Sequence, residues 1–292
     1  MKNTTEIFKN IRRIQLRTKK HVQNVLAGAY QSAFKGSGME FEDVREYQPG
    51  DEIRSIDWNV TARMQYPYVK NFKEERELTV ILLIDVSASS LFGTIGKQKE
   101  ELIAEIGALF AFSAIKNNDK VGLLLFSDRV EKFLAPQKGI KHALRVVREL
   151  LIFKPKGKKT DIKEALSYLG KIQKRRSVVF LISDFFSKPF KDELSILSKR
   201  HEVIAVNVRD PHEMVLPKMG LVQLKDLESG KMILVDTSKR KVREMLEKKN
   251  LEQLNDLKQL FRGSSNGFID IASGGDYVEP IRQFFSKRRA CS

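Results

Sequence analysis

Residues 79–89 read Thr79-Val80-Ile81-Leu82-Leu83-Ile84-Asp85-Val86-Ser87-Ala88-Ser89. An unbroken apolar run this short predicts a central strand buried on both faces of a parallel sheet. It ends on a carboxylate. Two hydroxyls follow at alternate positions, so Asp85, Ser87 and Ser89 can face one point as the chain turns.

Working outward, the same pattern repeats. Residues 99–115 form a helix apolar on most faces and therefore deeply packed. Residues 121–126 are the next strand, and 130–134 pair with it as a hairpin. Helices are predicted over 140–151, 161–172 and 191–199, with buried strands over 177–182 and 203–208. A β-hairpin joins 221–224 to 232–235 across Glu228-Ser229-Gly230. A long charged helix over 238–261, a strand over 268–271 and a helix over 278–287 close the chain. Strand–helix alternation of this kind predicts an α/β, doubly wound, mostly parallel sheet with helices on both faces. The expected divisions are a basic helical segment over 1–35, an irregular or β-containing arm over 36–77, and the sheet domain over 78–288.

In such sheets ligands bind beyond the carboxyl ends of the strands, near the topological switch point. Three segments place oxygen there: Asp85, Ser87 and Ser89 after the first strand; Asp184 in Leu181-Ile182-Ser183-Asp184; and Thr160 in Lys159-Thr160-Asp161. Carboxylates and hydroxyls are hard donors suited to a divalent ion, Mg²⁺ first, with Mn²⁺ or Ca²⁺ as alternatives. Simpler roles exist for each. Ser87 and Ser89 serve equally as turn residues, Thr160 as a helix N-cap and Asp184 as a cap for the next helix.

DVSAS, KKTDIKEAL and LISDF resemble the three loops of the metal-ion-dependent adhesion site of von Willebrand factor A domains. Carried over by position, the resemblance implies that Asp85, Ser87, Ser89, Thr160 and Asp184 hold the metal. The arm resembles the signature of a bacterial family known as domain of unknown function fifty-eight, which couples such an arm to a von Willebrand factor A-like core. Glu40, Phe41, Arg45, Tyr47, Gly50, Asp51, Arg54, Ile56, Asp57, Trp58, Ala62 and Arg63 fit that signature. The resemblance implies a MoxR-type AAA+ ATPase as partner, in assembly or maturation of client proteins. Within the arm, Arg45, Arg54, Arg63 and Arg76 alternate with acids. This predicts a network of ion pairs, with Trp58 and Phe72 as apolar anchors.

Charge bounds the partners. The 292 residues carry 53 Lys and Arg against 37 Asp and Glu, a formal +16. Such a balance favours acidic partners. Lys154, Lys156, Lys158 and Lys159 lie directly before Thr160, and Lys138, Lys141, Arg145 and Arg148 line a helix. These suit an acidic protein ligand better than nucleic acid, because no aromatic interleaving accompanies them, and equally suit a plain solvated basic face. Arg12, Arg13, Arg17, Lys19 and Lys20 offer a membrane contact, or only a solvated face. One cysteine, Cys291, excludes an internal disulfide and a thiolate zinc cluster. No stretch has the length of a membrane span, and no signal peptide is evident, so a cytoplasmic protein is expected.

Three functions compete: a non-catalytic adaptor that docks a partner's carboxylate, a metal-dependent phosphatase or nuclease, and a basic nucleic-acid binder. A phosphoryl hydrolase of the Asp-x-Asp type needs a second carboxylate at position 87 as acid and base. Ser87 stands there, and His21, His142, His201 and His212 are scattered. The expectation is therefore an adaptor and no enzyme.

Overall fold

A computed structural model describes residues 12–14, 16, 18, 30, 40–73, 77–91, 99–225, 230, 232–262 and 266–291. The readings on Arg17, Lys19, Lys20, the Phe72 side chain, Arg76 and the turn at Glu228-Ser229 lie outside the described residues. The chain divides into two compact units, residues 34–77 and residues 1–33 with 78–292.

In the smaller unit, β1 (Glu40–Glu46) pairs antiparallel with β2 (Tyr68–Lys73). Between them lies a short helix, α1 (Trp58–Met64). Asp57 caps it by accepting from the backbone N–H groups of Asn59 and Val60. Arg45 grips Asp51 through two guanidinium bonds of 2.7 Å. This is one of the expected ion pairs. The other expectation fails: Trp58 is 67% exposed, not an anchor. It sits at the first position of α1, where no apolar neighbour one turn earlier on its helix exists to cover it.

The larger unit is built on a six-stranded sheet in the order β10-β7-β6-β3-β4-β5. These strands are β3 (Thr79–Asp85), β4 (Lys120–Phe126), β5 (Val130–Gln137), β6 (Val178–Ser183), β7 (Glu202–Arg209) and β10 (Gly267–Ala272). All neighbours run parallel except β4 and β5, the expected hairpin. The central strands β3, β4 and β6 are buried almost end to end, as their unbroken apolar runs demand.

Helix α2 (Lys99–Lys116) covers one face of the sheet and is buried nearly all round. Its Phe110 stacks on Phe180 of β6 with ring centroids 4.0 Å apart. Phe285, from the closing helix, stands edge-on to both rings. Beside α2 lies α3 (Ile140–Ile152), whose buried His142 brings Nε2 within 2.9 Å of the Val121 carbonyl. The other face carries α4 (Ile162–Ile172) and α5 (Lys191–Ser198), whose Leu166, Leu169, Leu194 and Leu197 join Ile81, Leu83 and Leu181 in one core. A one-turn helix, α6 (Pro211–Met214), follows β7. A small hairpin of β8 (Leu221–Lys225) and β9 (Met232–Asp236) precedes the long α7 (Arg240–Leu260), and α8 (Val278–Cys291) closes the chain.

The sequence set residues 1–35 apart as a basic segment. The structure instead groups residues 1–33 with the sheet. Ile14 and Tyr30 are 3% and 1% exposed, and the Tyr30 hydroxyl reaches Asp119 at 3.2 Å. Ile14 and Tyr30 are thus buried, while Leu16 is exposed. Among the described residues no helix is long and apolar enough to cross a membrane.

Candidate metal centre

After β3 the chain runs to β4 and β5 on one side of the sheet, then crosses back to β6 on the other. The switch point therefore lies between the carboxyl ends of β3 and β6, the crevice where ligands bind in open α/β sheets. Register makes the site compact. Ile84 is level with Ile182, and Asp85 with Phe126. Asp85 and Ser183 thus end adjacent strands side by side.

Asp85 is 2% exposed. Its Oδ1 accepts from the Ser87 backbone N–H at 2.9 Å, and its Oδ2 from the Ser183 hydroxyl at 2.6 Å. The Ser87 hydroxyl lies 3.0 Å from that of Ser89 and accepts from Thr160 Oγ1 at 2.9 Å. Backbone bonds fix the loops to one another: Val86 N–H to the Phe126 carbonyl, Ala88 N–H to the Lys158 carbonyl, and Asp161 N–H to the Ser127 carbonyl. Thr160 is not the cap of α4. Asp161 takes that role by accepting from the Glu164 N–H, which leaves the Thr160 hydroxyl to the cluster.

Burial pushes the Asp85 carboxyl up to about 7, and the charge of Asp184 adds to the shift. The bonds from Ser183 and Ser87 pull the other way without cancelling it. A second charge of the same sign beside a desolvated carboxylate is an arrangement that a cation relieves.

Asp184 follows β6 directly. Its Oδ1 accepts from the Phe186 N–H at 3.3 Å, and its Oδ2 is 3.0 Å from the Lys99 ammonium. The same ammonium lies 2.7 Å from Glu213 Oε1 on α6. Of the five residues expected from sequence, Asp85, Ser87, Ser89 and Thr160 form one hydrogen-bonded cluster. Asp184 is near enough for its charge to act on Asp85, and it is held by Lys99.

The donor set fits a hard divalent ion. Ligands at about 2.0–2.1 Å in an octahedral Mg²⁺ shell stand roughly 2.9 Å apart along each edge. The three hydroxyls are spaced at 2.9 and 3.0 Å. Among the described residues no three of His, Cys, Asp and Glu gather as a metal cluster. Hydroxyls must therefore complete any site built here.

Sequence reasoning missed three participants. Ser183 was legible, since it precedes Asp184 at a strand end. Lys99 carried a weak signal as a lysine at the start of a largely apolar helix. Glu213 carried none, because it meets Lys99 across 114 positions.

A mostly parallel sheet with carboxylate and hydroxyl oxygens at its switch point defines a doubly wound α/β domain. The chain is a member of the family described as "Protein of unknown function DUF58", which matches residues 43–256. It is 29% identical over 284 residues to "Uncharacterized protein Rv1480" of Mycobacterium tuberculosis, covering 96% of this chain and 89% of that one. Among solved structures it is similar to the conserved hypothetical protein BatB of Bacteroides thetaiotaomicron. The TM-score is 0.46 at 17% identity, covering 74% of this chain and all of the other. It is also similar to a von Willebrand factor type A protein of Catenulispora acidiphila, with TM-score 0.38, 9% identity, and 73% and 42% covered.

Proposed function

We propose that the chain is a non-catalytic, metal-dependent adaptor that docks an acidic protein partner. Asp85, Ser87, Ser89, Thr160 and Asp184 would hold one Mg²⁺, with a position left open for a carboxylate from that partner. The observation that carries the reading is the trio of hydroxyls from Ser87, Ser89 and Thr160. It is gathered from two separate loops beside a buried Asp85 that only hydrogen bonds compensate among the described residues.

The rim fits the same role. Lys154, Lys156, Lys158 and Lys159 are exposed on the loop that leads to Thr160. They would steer an acidic surface toward the ion. Membership of the DUF58 family and the resemblance drawn from the arm support a MoxR-type AAA+ ATPase as that partner. Against hydrolysis stands Ser87, a hydroxyl where a phosphoryl-transfer enzyme would carry a carboxylate acid and base.

Two measurements test the proposal. Mg²⁺ or Mn²⁺ raises the melting temperature of the wild type, and Asp85→Ala loses that rise. An equal rise in the variant overturns the site. Pull-down of a MoxR-type ATPase depends on the ion, and full retention in chelator overturns metal-bridged docking.

A further inference from the structure

Lys99 opens α2, and its side chain is 1% exposed. Lysine is almost never wholly buried unless paired. Here burial works against its charge, and Asp184 and Glu213 together outweigh that and hold the ammonium protonated. Glu213 is itself fixed in place. Its Oε2 accepts from the Asp210 N–H at 2.9 Å, and its backbone carbonyl accepts from the Asn250 side chain at 2.6 Å. Both oxygens of Asp184 are engaged, one by Lys99 and one by the Phe186 N–H.

The ammonium therefore sits where a divalent ion would draw on Asp184. An ion that takes Asp184 shares a carboxylate already bonded to Lys99 at 3.0 Å, and it must settle beside a like charge at short range in a buried site. We propose that Lys99 is a tethered counter-cation that competes with the divalent ion for Asp184 and so keeps the affinity of the centre low. The inference rests on the metal-centre reading above. It adds a reason for an ion that exchanges readily: the ion must share Asp184 with a cation already in place.

The test is calorimetric titration of the full chain with Mn²⁺ and with Mg²⁺. Lys99→Met keeps the length of the side chain and removes the charge. It binds the ion at least tenfold more tightly than the wild type and shows a larger ion-induced rise in melting temperature. Lys99→Arg, which keeps the charge, stays near the wild-type affinity. Lys99→Met leaves two buried carboxylates without their cation and so threatens folding. The double variant Lys99→Met with Glu213→Gln removes one of those charges, and the same tightening is expected in it. Equal or weaker binding in the folded uncharged variant overturns the proposal while leaving the metal centre standing. No binding by the wild type or any variant overturns both.

Discussion

His142 shows how much a single buried side chain contributes and when. Burial lowers its pKa, and the nearby Arg145 lowers it further, while the bond to the Val121 carbonyl opposes both. The folded protein thus prefers the neutral ring, with Nε2–H donating to Val121. A base whose folded pKa lies below its unfolded value of about 6.5 contributes fully above that pH, and the contribution is lost as pH falls through the folded value. Urea denaturation at pH 8 and pH 5.5 checks this. Wild-type stability falls relative to His142→Gln on acidification, and a constant difference between the two proteins would refute the assignment. At the candidate centre the residue-scale logic is similar. Asp85 is costly as a bare charge, and Ser183 and Ser87 offset part of that cost.

Among the elements, the loop between α3 and α4 does the most to shape the site. Glu131 of β5 staples it from below. One carboxylate oxygen accepts from the Ser127 hydroxyl and from the N–H groups of Lys156 and Gly157 at 2.8, 3.0 and 2.7 Å. Gly157 passes so close to Asp128 and Ser127 that an added Cβ would overlap both side chains. Gly157→Ala is therefore expected to destabilise by about 1–3 kcal/mol, the usual range for overpacking, measured as a lower urea midpoint. A stability unchanged within error would show that the loop yields freely.

The elements also mark the limit of sequence reading. The β3, β4, β6 and β7 strands announce themselves because each is built on a continuous apolar run. The metal loop is legible because its donors follow a strand within five residues. The Glu131 staple and the Lys99–Glu213 pair join positions 25 and 114 apart, and no local pattern encodes such meetings. The arm hid its order for another reason. Seven-residue α1 is too short to show a 3.6-residue period. The extended piece at Tyr68-Val69-Lys70 was legible and is the start of β2, but β1 mixes charged with apolar residues and so reads as irregular.

At the scale of the whole molecule, the larger unit carries most of the secondary structure. The β8–β9 hairpin leaves Met232, Ile233 and Leu234 more than half exposed, and its base is pinned where Thr237 bonds to Met219 and Gly220. The larger unit draws its stability from the sheet and its two helical layers, with the Phe110, Phe180 and Phe285 rings at the centre of one of them.

The exposed Trp58 has a practical consequence. It is the single tryptophan of the chain, and it belongs to the unit formed by residues 34–77. Tryptophan emission is thus a private signal of that unit, and far-ultraviolet circular dichroism is dominated by the sheet and helices of the other. At 67% exposure its native emission is expected near the wavelength of a solvated indole, with a small further red shift on unfolding. Followed together through a urea titration, coincident transitions would show one cooperative molecule and separate transitions two independent ones. The chain carries its own reporter for that distinction, with no label added.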